Sequence, residues 1–208
     1  MREERVLGWW RMLMVMDRGQ RKILGSESRW ITGVDLGKQK DHSALVSLEV
    51  FDATYAERDP LTQSYVSERR YRLRGAERVR LGTPYPDVVQ RLRDVVNLPG
   101  LQGKSTLVVD ATGVGTPVVD LLRAVRPACR IVPVTITGGD QESSDGVVYR
   151  VPKRDLVTGL QVLIEQRRLE IARGTRATRE LMGELGEMKH QVTGFGREKF
   201  EAEGSAVA

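Results

Sequence analysis

The 208-residue chain carries 33 Lys and Arg against 28 Asp and Glu, a formal net charge of +5, with 40% hydrophobic and 29% charged residues. That is enough apolar chain to bury a core unaided and too much for general disorder. One cysteine, Cys129, and two histidines, His42 and His190, exclude an internal disulfide, a multi-cysteine zinc site and a histidine cage. No apolar run approaches the roughly 18 residues of a membrane span, and no small-residue cleavage site follows the Trp- and Met-bearing start. A soluble, intracellular protein with no membrane partner is expected.

Residues 1–28 mix Trp, Met and Arg and end in Gly25-Ser26-Glu27-Ser28. They read as an N-terminal extension or linker remnant, and residues 29–208 as one domain. Trp30–Gly37 is a short apolar run closed by glycine, a strand signal. A second strand lies within His42–Val50. Tyr65–Arg74 alternates, with Tyr71 and Leu73 on one face and Arg70, Arg72 and Arg74 on the other. That is a half-buried strand with a cationic outer surface. Six arginines between residues 66 and 80 suit either a polyanion partner or a solvated face.

The period then changes. Thr83 and Pro84 open a helix whose apolar stripe is Tyr85, Val88, Val89, Leu92, Val95 and Val96, stopped by Pro99-Gly100. Thr106–Asp110 is a fourth strand. Thr116-Pro117 starts a helix with Val118, Val119, Leu122 and Val125 inward. Arg130–Ile136 is a fifth strand, followed by a polar loop to Gly146. Pro152 starts a helix carrying Leu156, Val157, Leu160, Leu163 and Ile164 on one side. Leu169 and Ile171 suit a short strand, and a last helix carries Leu181, Met182, Leu185 and Met188.

This grammar describes a mixed α/β sheet: an antiparallel three-strand meander plus two parallel strands, with helices on both faces. Right-handed crossovers put strands one, four and five side by side, with the meander on the far edge.

Asp35 ends strand one and Asp110 ends strand four, each before a glycine-containing turn. Parallel neighbours lie about 4.8 Å apart, so two carboxylates at equal height would face each other. Such a pair needs a raised pKa or a bridging cation; Mg²⁺ or Mn²⁺ suits oxygen ligands, and two such ions would support phosphodiester hydrolysis. The alternative is that each aspartate caps the turn after its strand. Lys153 and Arg154 open a helix, where cations oppose the macrodipole, so they face either an anion such as a DNA phosphate or solvent.

Gly33-Val34-Asp35-Leu36-Gly37-Lys38-Gln39-Lys40-Asp41-His42-Ser43-Ala44-Leu45 resembles the first strand of the nuclease domain of phage terminase large subunits, and Val108-Val109-Asp110-Ala111-Thr112-Gly113-Val114-Gly115 resembles its second acidic strand. Thr135–Gly139, Val151–Val157 and Phe200-Glu201-Ala202 are similar to its later segments, so the resemblance spans roughly residues 31–203. It implies a ribonuclease-H-like fold and a metal-dependent endonuclease that cuts concatemeric double-stranded DNA during genome packaging in a bacterial host's cytoplasm. Asp35 and Asp110 would hold two Mg²⁺ or Mn²⁺ ions. Asp41 would be a turn residue beside them, and Lys38, Arg70, Arg72, Arg74, Lys153 and Arg154 would contact DNA. The implied partners are a separate terminase ATPase domain, a small terminase subunit and a portal.

The chain departs from the family twice. It has no Gly-x-x-x-x-Gly-Lys-Ser/Thr loop, so it is not the motor. The family's third aspartate follows the Phe-Glu-Ala region, whereas this chain ends Gly204-Ser205-Ala206-Val207-Ala208. C-terminal truncation is the expectation, with Glu203 or Glu201 as the substitute ligand. The competing readings are a catalytically silent DNA-binding or packaging module of the same ancestry, and a phosphate-binding domain of the actin and sugar-kinase type, which also begins with Asp-x-Gly after a strand.

Overall fold

The computed structural model describes residues 22–37, 41–113, 115–171, 176–192 and 198–202. In chain order the elements are β1 (Ile23–Asp35), β2 (Ala44–Arg58), β3 (Tyr65–Arg78), α1 (Tyr85–Val96), β4 (Ser105–Asp110), α2 (Gly115–Ala124), β5 (Cys129–Thr137), β6 (Ser143–Ser144), β7 (Tyr149–Pro152), α3 (Lys153–Glu165), β8 (Leu169–Ile171), α4 (Arg176–Glu187), β9 (Met188–Val192) and β10 (Glu198–Ala202).

Eight strands form one sheet in the order β6-β7-β5-β4-β1-β2-β3-β8, and β9 pairs with β10 separately. The antiparallel β1–β2–β3 meander and the parallel β1–β4–β5 run match the expected ribonuclease-H-like arrangement. The parallel run continues into β7, and β8 adds a parallel strand beside β3. Among the described residues no helix is long and apolar enough to cross a membrane.

β1 begins at Ile23, seven residues before the Trp30 start expected from the sequence. Its first half is exposed and is held by the ladder to β2, where Ser28 pairs with Phe51 and Ile23 with Tyr55. The N-terminal extension therefore gives way to strand before residue 28, and residues 1–21 lie outside the described residues.

One core lies between the sheet and the pair α1–α2. Val88, Val89, Leu92 and Val96 from α1 and Val118 and Leu122 from α2 pack on Val34, Leu45, Leu107 and Val109. The stripes read from the sequence are the ones buried. Each fully buried Leu or Val side chain contributes roughly 1.5–3 kcal/mol of transfer free energy. Polar side chains on this face are satisfied within it: the hydroxyls of Thr32 and Ser47 bond each other at 3.1 Å, and Ser105 Oγ donates to the Leu101 carbonyl at 2.7 Å. At the start of α1, Pro84 takes the N-cap position rather than the first helical one. Thr83 does not cap the helix: its hydroxyl donates to the Arg80 carbonyl at 2.7 Å.

α3 connects β7 near one edge of the sheet to β8 at the other. No residue of its apolar stripe is fully buried, and Leu156 and Ile164 are 44% and 48% exposed. In α4, Met182 is likewise exposed at 51%, and Met188 opens β9 instead of continuing the helix.

Candidate active site

The parallel ladder between β1 and β4 pairs Val34 with Val109. One step further, Asp35 and Asp110 end the two strands. Side chains alternate across a strand. Val34 and Val109 point into the α1–α2 core, so Asp35 and Asp110 both project from the opposite face. They stand at one height on strands about 4.8 Å apart, at the C-terminal edge of the parallel strands, where open α/β sheets bind ligands.

The two carboxylates feel each other. The Asp35 carboxyl lies above the ordinary aspartate value: partial loss of water is the main cause, and the negative charges of Asp110 and then Asp41 add to it. Among the described residues, no hydrogen bond or ion pair reaches the Asp35 carboxylate. Asp110 differs. Its Oδ1 accepts the backbone N–H of Thr112 at 2.8 Å, and Thr112 Oγ1 accepts the N–H of Ile136 at 2.9 Å. Asp110 therefore also caps its turn, which holds the loop after β4 against β5.

The turn after Asp35 is tightly folded. The Gly37 N–H donates to Ser43 Oγ at 3.1 Å, and Tyr85 Oη donates to the Gly37 carbonyl at 3.0 Å. A Cβ at Gly37 would lie 2.2 Å from the Asp41 carbonyl oxygen, so only glycine permits this closure. The closure brings Asp41 close enough for its charge to act on Asp35. His42 Nδ1 lies 2.9 Å from the Val79 carbonyl, a structural contact.

The arginine-bearing strand departs from expectation. Arg70 and Arg72 pair with Phe51 and Glu49 of β2, whose side chains share the face of Leu45 and Ser47. That is the face turned away from Asp35 and Asp110. Arg70 Nη1 and Arg72 Nε bond Glu170 of β8 at 2.9 and 2.8 Å, and Arg72 lies over the Phe51 ring at 3.8 Å. Arg74 Nε bonds Glu49 at 2.7 Å. A cationic face read as open to a polyanion is thus a carboxylate-paired network on the other side of the sheet from the acids, which removes the three arginines from the carboxylate site.

Lys153 and Arg154 follow β7 at the same sheet edge as the carboxylates. Lys153 is exposed, and Arg154 pairs with Asp140 at 3.3 Å and Asp155 at 3.4 Å. Lys38 and Glu203 lie outside the described residues, and Glu201 belongs to the separate β9–β10 pair. Among the described residues no group of three or more His, Cys, Asp or Glu could hold a metal ion; the acids brought together are Asp35 and Asp110, with Asp41 nearby.

No family model matches the sequence, and no curated protein matches it. Among solved structures the chain is similar to the human cytomegalovirus terminase nuclease domain, at 8% identity, covering 89% of this chain and 85% of that chain, with a TM-score of 0.47.

Proposed function

We propose that this chain is a metal-dependent endonuclease domain of a phage DNA-packaging terminase large subunit, cutting concatemeric double-stranded DNA at Asp35 and Asp110. The observation that carries the reading is the paired ending of β1 and β4. Two carboxylates share one height and one face, and the Asp35 carboxyl is raised in part by its acidic neighbours.

The donor set fits hard divalent cations, since Asp35 and Asp110 supply oxygen ligands and mutual repulsion that a cation relieves. Mg²⁺ or Mn²⁺ bound there would supply Lewis acidity and a water of lowered pKa for phosphodiester hydrolysis. The protein's own part is positional. The Thr112 N–H fixes one Asp110 oxygen and leaves the other for a cation. The Gly37 closure holds the chain after Asp35 and keeps the Asp41 charge near it. An ATPase motor, a small terminase subunit and a portal are the partners this reading implies, in the cytoplasm of an infected bacterium.

The test is incubation of the purified chain with supercoiled plasmid and Mn²⁺, beside calorimetric Mn²⁺ titration. Nicking and Mn²⁺ binding are expected, with nicking reduced at least 100-fold in Asp35→Asn and Asp110→Asn. Neither nicking nor Mn²⁺ binding by the unsubstituted chain would overturn the reading. The second reading, a silent DNA-binding module, is favoured by the lack of a third gathered ligand among the described residues. Its signature is duplex binding that weakens steeply with salt without cleavage.

A further inference from the structure

The carboxylates belong to a longer row. Asp35 pairs with Ala44 of β2, and Ala44 pairs with Arg78 of β3. On the other side, Asp110 pairs with Val134 of β5, and Val134 with Tyr149 of β7. Ladder partners share a face, so Tyr149, Val134, Asp110, Asp35, Ala44 and Arg78 form one line across six strands. Arg70, Arg72 and Arg74 of the same strand are on the reverse side, and Arg69, on this one, is bonded to Asp52 at 2.7 Å.

We infer that Arg78 is a phosphate-positioning residue for this site, holding the DNA backbone beside the carboxylate pair. The inference rests on the nuclease reading above and deepens it by naming where the substrate strand is gripped.

Three observations support it. Arg78 is exposed, and it lies two strand spacings from Asp35, about 10 Å. Between Asp35 and Arg78 stands Ala44, whose single methyl screens neither from a ligand lying along the row. The backbone beside Arg78 is pinned: the Val79 N–H donates to the Ser43 carbonyl at 2.8 Å, and His42 Nδ1 contacts the Val79 carbonyl. A cation on a fixed strand end is pre-organised for an anion.

The experiment is fluorescence anisotropy of a labelled 20-base-pair duplex with the full chain in EDTA, across a salt series, so that neither metal binding nor cutting contributes. Arg78→Glu is expected to weaken binding at least 10-fold and to lower the salt slope by about 1. Arg93→Glu makes the same charge change at an exposed position of α1, beyond the opposite face, and is expected to stay within twofold of the unsubstituted chain. Arg78→Lys should retain most of the affinity and Arg78→Gln should lose it, which separates charge from folding if the glutamate variant is unstable. Equal losses for Arg78→Glu and Arg93→Glu, an unchanged Arg78→Gln, or no duplex binding by the unsubstituted chain would each overturn the inference. Mn²⁺ calorimetry on the unsubstituted chain decides the nuclease reading separately, because Arg78 is not a ligand.

Discussion

Tyr85, the first residue of α1, donates its hydroxyl hydrogen to the carbonyl oxygen of Gly37 at 3.0 Å. The helix that seals the core on one face thereby also holds the chain two residues beyond a carboxylate that projects from the other. Tyr85→Phe keeps the ring and removes the bond. A loss of about 1 kcal/mol, or a Tm lower by about 2–4 °C, is expected in a thermal melt, with weaker Mn²⁺ binding by calorimetry. Unchanged Mn²⁺ affinity would show that the tie does not govern the site.

The raised carboxyl of Asp35 makes a signed prediction. Its value in the folded protein exceeds the ordinary one, so the folded state holds the proton more tightly. Its stabilising contribution is complete below the ordinary aspartate value and is lost as pH rises through the raised value. Asp35→Asn should therefore melt higher than the unsubstituted chain at neutral pH, and the advantage should vanish in acid. Solvent screening at this exposed strand end limits the gain to about 1–2 °C. Saturating Mn²⁺ should reverse the order, because only the carboxylate-bearing chain gains ligand stabilisation.

Gly37→Ala places a methyl against the Asp41 carbonyl, where 2.2 Å of space exists. Backbone must move, at a cost of about 1–3 kcal/mol, and the Asp41 charge moves with it. A melt lower by several degrees and reduced nicking are expected together. A melt unchanged within error would show that the turn opens freely.

Asp110 separates structure from chemistry through two substitutions. Asp110→Asn retains an oxygen for the Thr112 N–H and should leave the melt within about 1 °C while abolishing nicking. Asp110→Ala leaves that N–H without its acceptor and should also cost about 1 kcal/mol. Equal melts for the two variants would mean the turn does not depend on this bond.

The central sheet order was legible because the hydrophobic period changes with element type. Three successive strand runs without a helix between them predict a meander, and the stripes of α1 and α2 predict which residues close over it. The carboxylate pair followed from the same order, since both aspartates end apolar runs that parallel pairing must align. What failed to show was whatever another part of the chain supplies. Ile23–Ser28 is exposed and carries no alternating apolar pattern, and is strand only because β2 extends beside it. β6 and β7 are too short to carry a period; they are joined by a turn in which Asp145 Oδ1 accepts the N–H groups of Val147 and Val148 at 3.0 and 2.8 Å. The alternation of Arg70 and Arg72 was visible, but not which face they take, nor that Glu170, nearly a hundred positions away, would neutralise them. Arg78 was hidden for a related reason. It lies past a ladder irregularity near Ser47 and Leu48, so counting by twos from Arg70 assigns it to the wrong side.

The sheet is bordered by β6, two residues long, and β8, three residues long. Brief borders present few unpaired N–H and C=O groups, and so give a stray extended peptide little backbone to zip onto. Inside those borders, however, β8 pairs with β3 only from Tyr71 to Leu73, and β4 with β1 only from Trp30 to Val34. A stray extended peptide would therefore find its longest backbone template along β3 and the first half of β1, not along the two short borders.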